Sequence, residues 1–138
     1  MKQYEELTKY LPIIIDDKLG DWIVDNKSKG TLDDPIHMPY VSYSDMVRSF
    51  ISDVYLFIEN HPEKGLNDYQ LILEQSNIKW EMQSMQDVDV SKLDEKGVMA
   101  LIVGTVRAER FCEGVLLAFF KEGQIYKWLT KLKELDKE

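Results

Sequence analysis

Residues 94–135 read DEKGVMALIVGTVRAERFCEGVLLAFFKEGQIYKWLTKLKEL, the most apolar stretch of the chain, interrupted once by the polar residues Arg107, Glu109 and Arg110. Ser91 followed three residues later by Asp94 resembles a capping pair and predicts a helix start. In the helix that follows, Val98, Leu101, Ile102, Thr105 and Val106 share one side. Gly97 and Gly104 lie on nearly the same face, and glycine lowers helix stability, so they predict a close approach by another helix. At Ala108 the chain either bends or continues. From Glu109 a second helical period runs through Cys112, Val115, Leu116 and Phe119. Gly123 marks a helix end and a turn. Ile125, Trp128, Leu129 and Leu132 then form a last amphipathic helix, with Lys127, Lys131 and Lys133 near its exposed side, where they suit the helix C-terminus.

Working outward, Leu7, Leu11, Ile14 and Ile15 recur at helical spacing, one turn after Tyr4. Pro12 predicts a kink, or a second helix after a break near Tyr10. Leu19, Trp22 and Ile23 keep the spacing and extend the expected helix to about Asn26, with Gly20 a weak point. Residues 26–42 read as a loop, long enough to be either pinned by its own side chains, with His37, Met38 and Tyr40 the obvious pins, or used for binding. Ser42 and Asp45 resemble a capping box for a helix running to about Asn60. Its stripe of Met46, Val47, Phe50, Ile51, Val54, Phe57 and Ile58 is wide enough for several neighbours, and Pro62 ends it. Gly65 is a turn, and Asn67 is the expected cap of a helix from Asp68 to Gln75 with Leu71 and Ile72 inward. Residues 76–93 read either as an extended segment or as a short helix and a loop. The fold expected is all-α, a compact orthogonal bundle of about six helices, with residues 1–138 forming one helical domain.

Composition narrows the function classes. The chain has 138 residues, 44% hydrophobic and 30% charged, with a formal net charge of -8. That balance describes a globular protein and argues against a phosphate backbone as partner, which needs a concentrated basic face. Lys127, Lys131, Lys133 and Lys137 do not make such a face, because Glu134, Asp136 and Glu138 are interleaved with them. A single cysteine excludes an internal disulfide and favours a reducing compartment. No leader pattern and no membrane-length apolar run is present, so a cytoplasmic location is expected.

Motifs with built-in chemistry are absent: no phosphate-binding glycine loop, no CxxC pair, no zinc-binding helix. His37 and His61 stand alone, and Cys112 lies in an apolar pattern that predicts a buried, inert thiol. No metal or cofactor is expected. Arg107, Glu109, Arg110 and Glu113 form the one constellation of interest. On an unbroken helix, Arg107, Arg110, Phe111 and Gly114 share one face and the two glutamates another. The structural reading is an arginine–carboxylate network joining two helices, with Phe111 in the core. The functional reading is a pocket in which Arg107 or Arg110 receives a carboxylate or phosphate. Tyr40, Tyr43, Phe111 and Trp128 would line it, and the glutamates would act as acid and base.

The segments ERFCEG (109–114) and KEGQIYKWLTKL (121–132) resemble a bacterial family of uncharacterised small proteins, the DUF6508 family. Its members show a similar ERF-cysteine-acid-glycine motif, then a glycine that starts a leucine-rich C-terminal helix. The matching positions here are Glu109, Arg110, Phe111, Cys112, Glu113, Gly114, Gly123, Ile125, Leu129 and Leu132. The stretch YVSYSDMVRSF (40–50) is similar to the family's middle motif at Tyr43, Ser44, Val47 and Phe50. Two positions depart from the pattern: Ala108 stands where a glycine is frequent and Lys131 where an arginine is. The resemblance implies no known activity. The function expected is a non-enzymatic cytoplasmic interaction or regulatory protein, with a homodimer or a protein partner. The alternative is a small anionic-ligand binding protein or hydrolase using Arg107, Glu109, Arg110 and Glu113.

Overall fold

Pro12 splits the first helical segment. The computed structural model describes residues 3–136, and it contains two short helices there, α1 (Glu5–Thr8) and α2 (Leu11–Ile14), with the proline in the first turn of the second. A missing amide proton is tolerated at that point because the first N–H groups of a helix have no partner within it. Lys137 and Glu138, two of the charges weighed against a basic C-terminal face, lie outside the described residues.

Residues 19–26 are not helical as expected. Gly20–Ile23 is a strand, β1, paired antiparallel with β2 (Tyr40–Tyr43), so that Gly20 faces Tyr43 and Ile23 faces Tyr40. The Asp17 carboxylate redirects the chain: it accepts from the Leu19 N–H at 2.8 Å and from the Ser44 hydroxyl at 2.7 Å. Leu19 itself takes a left-handed backbone, φ 67°. Gly20 is a point of close approach rather than a weak point in a helix, since a Cβ there would stand 2.7 Å from the Ser42 carbonyl oxygen.

The connection between the strands, residues 24–39, is pinned by aspartates and not by His37, Met38 and Tyr40. Asp25 accepts from the N–H groups of Lys27, Ser28 and His37, the last at 2.8 Å across the loop, and Asp34 accepts from Lys29 N–H. Such short carboxylate side chains satisfy loop amides that have no ladder partner.

Ser42 lies within β2, opposite Asp21, and the cap expected of it belongs to Ser44. The Ser44 hydroxyl accepts from Val47 N–H at the start of α3 (Asp45–Asn60), which buries Val47, Phe50, Val54, Phe57 and Ile58. After a left-handed turn at Gly65, a single 3-10 turn leads into α4 (Tyr69–Gln75). Asn67 caps nothing there, and Leu71 is half exposed; Tyr69, Ile72 and Leu73 are the inward residues. Within residues 76–93 lies one short helix, α5 (Met82–Gln86).

Helix α6 (Glu95–Ala108) is the centre of the molecule. Asp94 alone caps it, accepting from Gly97 N–H at 2.9 Å, while Ser91 belongs to a preceding turn capped by Asp89. Every residue from Gly97 to Val106 is buried, as a helix surrounded on all sides requires. Gly104 makes room for a side chain rather than for a helix backbone: the Trp80 indole lies against it and donates to its carbonyl at 2.9 Å. Gly97 faces Leu93 and Asp94 of its own cap. Helices α7 (Val115–Lys121) and α8 (Gln124–Leu135) follow, and α8 buries Ile125, Trp128, Leu129 and Leu132 as its periodicity predicts. The buried carboxylate of Asp136 accepts from the N–H groups of Gln3 and Tyr4, tying the two ends of the described chain together. The architecture is the expected helical bundle, carrying one two-stranded sheet that the sequence reading missed. Among the described residues no helix is long and apolar enough to cross a membrane.

Candidate functional site

The polar constellation lies at a bend and not on a continuous helix. After Ala108 the chain tightens: Phe111 N–H and Cys112 N–H both donate to the Ala108 carbonyl. Gly114 then takes a φ of +99°, a left-handed conformation that favours glycine, and α7 begins. This bend separates the arginines from the carboxylates.

Both glutamates turn toward the hairpin side of the bend. The Glu109 carboxylate accepts from Gly114 N–H at 3.0 Å and Leu116 N–H at 2.9 Å, so it caps α7 from five residues upstream. The Tyr43 hydroxyl accepts from Leu117 N–H at 3.1 Å and lies beside the Glu109 carboxylate. Burial, reinforced by Glu109, pushes the Tyr43 phenol well above its ordinary value. Glu113 reaches back to β2 and accepts from Val41 N–H at 2.8 Å. That bond occupies part of an otherwise open strand edge. Trp22 of β1 packs on Gly114, where a Cβ would stand 2.4 Å from its Cζ2. Two carboxylates, one glycine and two aromatic residues therefore fasten the hairpin to the junction of α6 and α7.

Both arginines turn toward α3, and Arg107 also reaches α4. The Arg107 guanidinium stands 5.4 Å from the Tyr55 ring centroid and 5.9 Å from that of Tyr69, and it donates to Asn67 Oδ1 at 3.0 Å. Arg110 lies 5.3 Å from the same Tyr55 centroid. Among the described residues neither arginine pairs with a carboxylate, so the predicted arginine–glutamate network does not form. Phe111, expected in the core, is 80% exposed and meets Trp80 edge-on at 6.2 Å. Cys112, expected buried, is exposed. Both errors come from reading an unbroken helix through residues 109–114.

The four aromatic residues expected to line one pocket do not converge. Trp128 is a core residue packed on Phe119, Tyr43 is part of the junction, Tyr40 is half exposed on the hairpin, and Phe111 projects into solvent. Two grooves of about 520 and 540 Å3 lie elsewhere, one beside Tyr4, Lys64 and Glu95, the other beside Val90, Tyr126 and Lys131. Among the described residues no group of three His, Cys, Asp or Glu side chains is placed to hold a metal ion.

Sequence reasoning placed a loop at residues 26–42 but did not single out its exposed apolar side chains, which the structure sets on an arm at residues 24–39. Leu32 is fully exposed, Met38 is 83% exposed, and Val24 and Ile36 also face solvent. The signal available was the recurrence of large apolar residues inside a stretch otherwise made of Asp, Pro, Ser and Gly.

A search of curated proteins returns no match, and a search of solved structures returns none either. The family model for a family of unknown function, DUF6508, matches residues 1–138, and the chain belongs to that family.

Proposed function

We propose that the protein is a non-catalytic interaction protein and that the arm at residues 24–39 is its contact element. The observation that carries this reading is the exposure of Leu32 and Met38 on a loop whose backbone is held by Asp25 and Asp34. Ordering a loop residue costs about 1–2 kcal/mol of conformational entropy. An ordered loop that keeps its large apolar side chains in water fits a surface awaiting a partner. The engagement of Glu109 and Glu113 with backbone amides supports a non-catalytic role, since it ties up the acid–base half of the hydrolase alternative. The lone cysteine supports a reducing compartment such as the cytoplasm. One continuous buried cluster from Tyr4 to Leu132 supports reading residues 1–138 as a single domain.

Photo-crosslinking in the native host tests the proposal. A benzophenone amino acid at position 38 is expected to give a discrete adduct, and the same group at Glu74, exposed on α4, is expected to give none. Absence of an adduct from position 38, or equal labelling from both positions, overturns the reading.

A further inference from the structure

We infer that the arm's partner is a second copy of this chain, with Leu32 and Asp33 of one copy seated on Phe111 and Arg110 of the other. This rests on the arm being a contact element and adds the identity of its occupant.

Charge singles out the receiving surface. The chain carries a net charge of -8 and has three arginines, Arg48, Arg107 and Arg110. Two of the three sit together at the bend, both against Tyr55, and neither meets a carboxylate among the described residues. Arg110 is exposed and adjoins the exposed Phe111, whose ring is braced by Trp80. A guanidinium beside exposed aromatic surface is the composition that interface centres favour. Its complement is an acidic segment with an apolar side chain next to the carboxylate.

The tip of the arm has that composition. Leu32 is fully exposed, and the neighbouring Asp33 is exposed with no hydrogen bond or ion pair among the described residues. Asp34, by contrast, is used within the loop, accepting from Lys29 N–H. The arm thus offers one free carboxylate beside one free aliphatic side chain.

Placement makes the contact reciprocal. The Glu113–Val41 bond joins the bend to β2, so Phe111 and Tyr40 lie two residues and one residue from the same 2.8 Å link. Arm and platform therefore start from one junction. A two-fold axis beside that junction sets each arm on the other copy's platform, the self-complementary arrangement of closed dimers.

Sedimentation of the purified full chain tests this. The wild-type chain is expected to dimerise. Asp33→Arg and Arg110→Glu are each expected to weaken the dimer about tenfold or more, and the double variant is expected to recover most of the loss. Both positions are exposed, and unchanged thermal unfolding of each variant verifies that folding is intact. A wild-type monomer at about 1 mM, single variants that dimerise like wild type, or a double variant no better than the singles overturns the inference. The crosslinking experiment keeps the two claims apart. A position-38 adduct with a different protein, alongside a monomeric purified chain, overturns the second copy and leaves the contact role standing. No adduct at all removes both.

Discussion

Trp22 fills the space that a side chain at Gly114 would occupy: a Cβ on Gly114 would stand 2.4 Å from Trp22 Cζ2. The contact spans most of the chain length and fastens the hairpin to the bend between α6 and α7. Because Gly114 also has a φ of +99°, Gly114→Ala meets two penalties. Together they are expected to cost about 2–4 kcal/mol of unfolding free energy in urea. Adding Trp22→Ala relieves the steric part only, so the double variant is expected to be more stable than the sum of the two single losses predicts, by about 1 kcal/mol. Simple additivity would show that the indole does not limit what position 114 can hold.

Glu109 acts as a cap delivered from outside its helix. Glu109→Ala leaves the N–H groups of Gly114 and Leu116 without their acceptor and is expected to destabilise the protein by about 1–2 kcal/mol. Glu109→Gln retains one acceptor oxygen and is expected to lose about half as much. Hydrogen exchange separates this from a general loss of stability: the amides of residues 114 and 116 should accelerate more than those in the middle of α6.

Tyr43 gives the junction an alkaline limit. Its folded phenol is held above the ordinary 10.0 by burial first and by Glu109 second, so the fold favours the neutral ring. Stability from this group is complete below pH 10 and falls as the pH rises above it, because the unfolded chain then releases a proton that the folded chain retains. Tyr43→Phe is expected to be less stable than wild type at pH 8 through the lost Leu117 bond. Its stability should decline less steeply than that of wild type between pH 10 and 11. Denaturant midpoints across that range measure both effects, and parallel declines would contradict the assignment.

Asp25 sets the acid behaviour of the arm. Its carboxylate lies well below the ordinary 3.8, chiefly through the His37 backbone N–H and then through Ser28. With a depressed folded value, the order it confers is present above pH 3.8 and is lost as the pH falls below it toward the folded value. The Ser28 amide resonance, whose N–H donates to the same carboxylate at 2.9 Å, is therefore expected to hold its position from pH 7 to pH 4 and to move only at lower pH. In Asp25→Asn it should already sit near its disordered position at pH 7. An unchanged Ser28 resonance in that variant would remove Asp25 as the pin.

Legibility followed the length of each element. Helices α3, α6 and α8 repeat their apolar spacing over several turns, and their ends carry local marks such as Pro62 and Gly123. The hairpin was misread because four residues, GDWI, contain too few positions to separate a period of 2 from one of 3.6. The candidate residues Arg107, Glu109, Arg110 and Glu113 were visible as a group, but their partners were not. Val41, Tyr43, Tyr55 and Asn67 are 40 or more residues away in sequence. Their pairing depended on a bend whose direction is set by Gly114 and the Trp22 ring lying on it.

Local patterning was sufficient to specify a helical bundle built around the segment 94–135, because amphipathic spacing and end residues act within a few turns of chain. Tertiary contact decided the rest. It sent the two carboxylates of the ERFCEG segment to the hairpin and the two arginines to the tyrosines. It also left Phe111, Cys112 and the arm in solvent. A charged side chain takes whichever partner the packed core brings within about 3 Å, and that choice is made by elements distant in sequence.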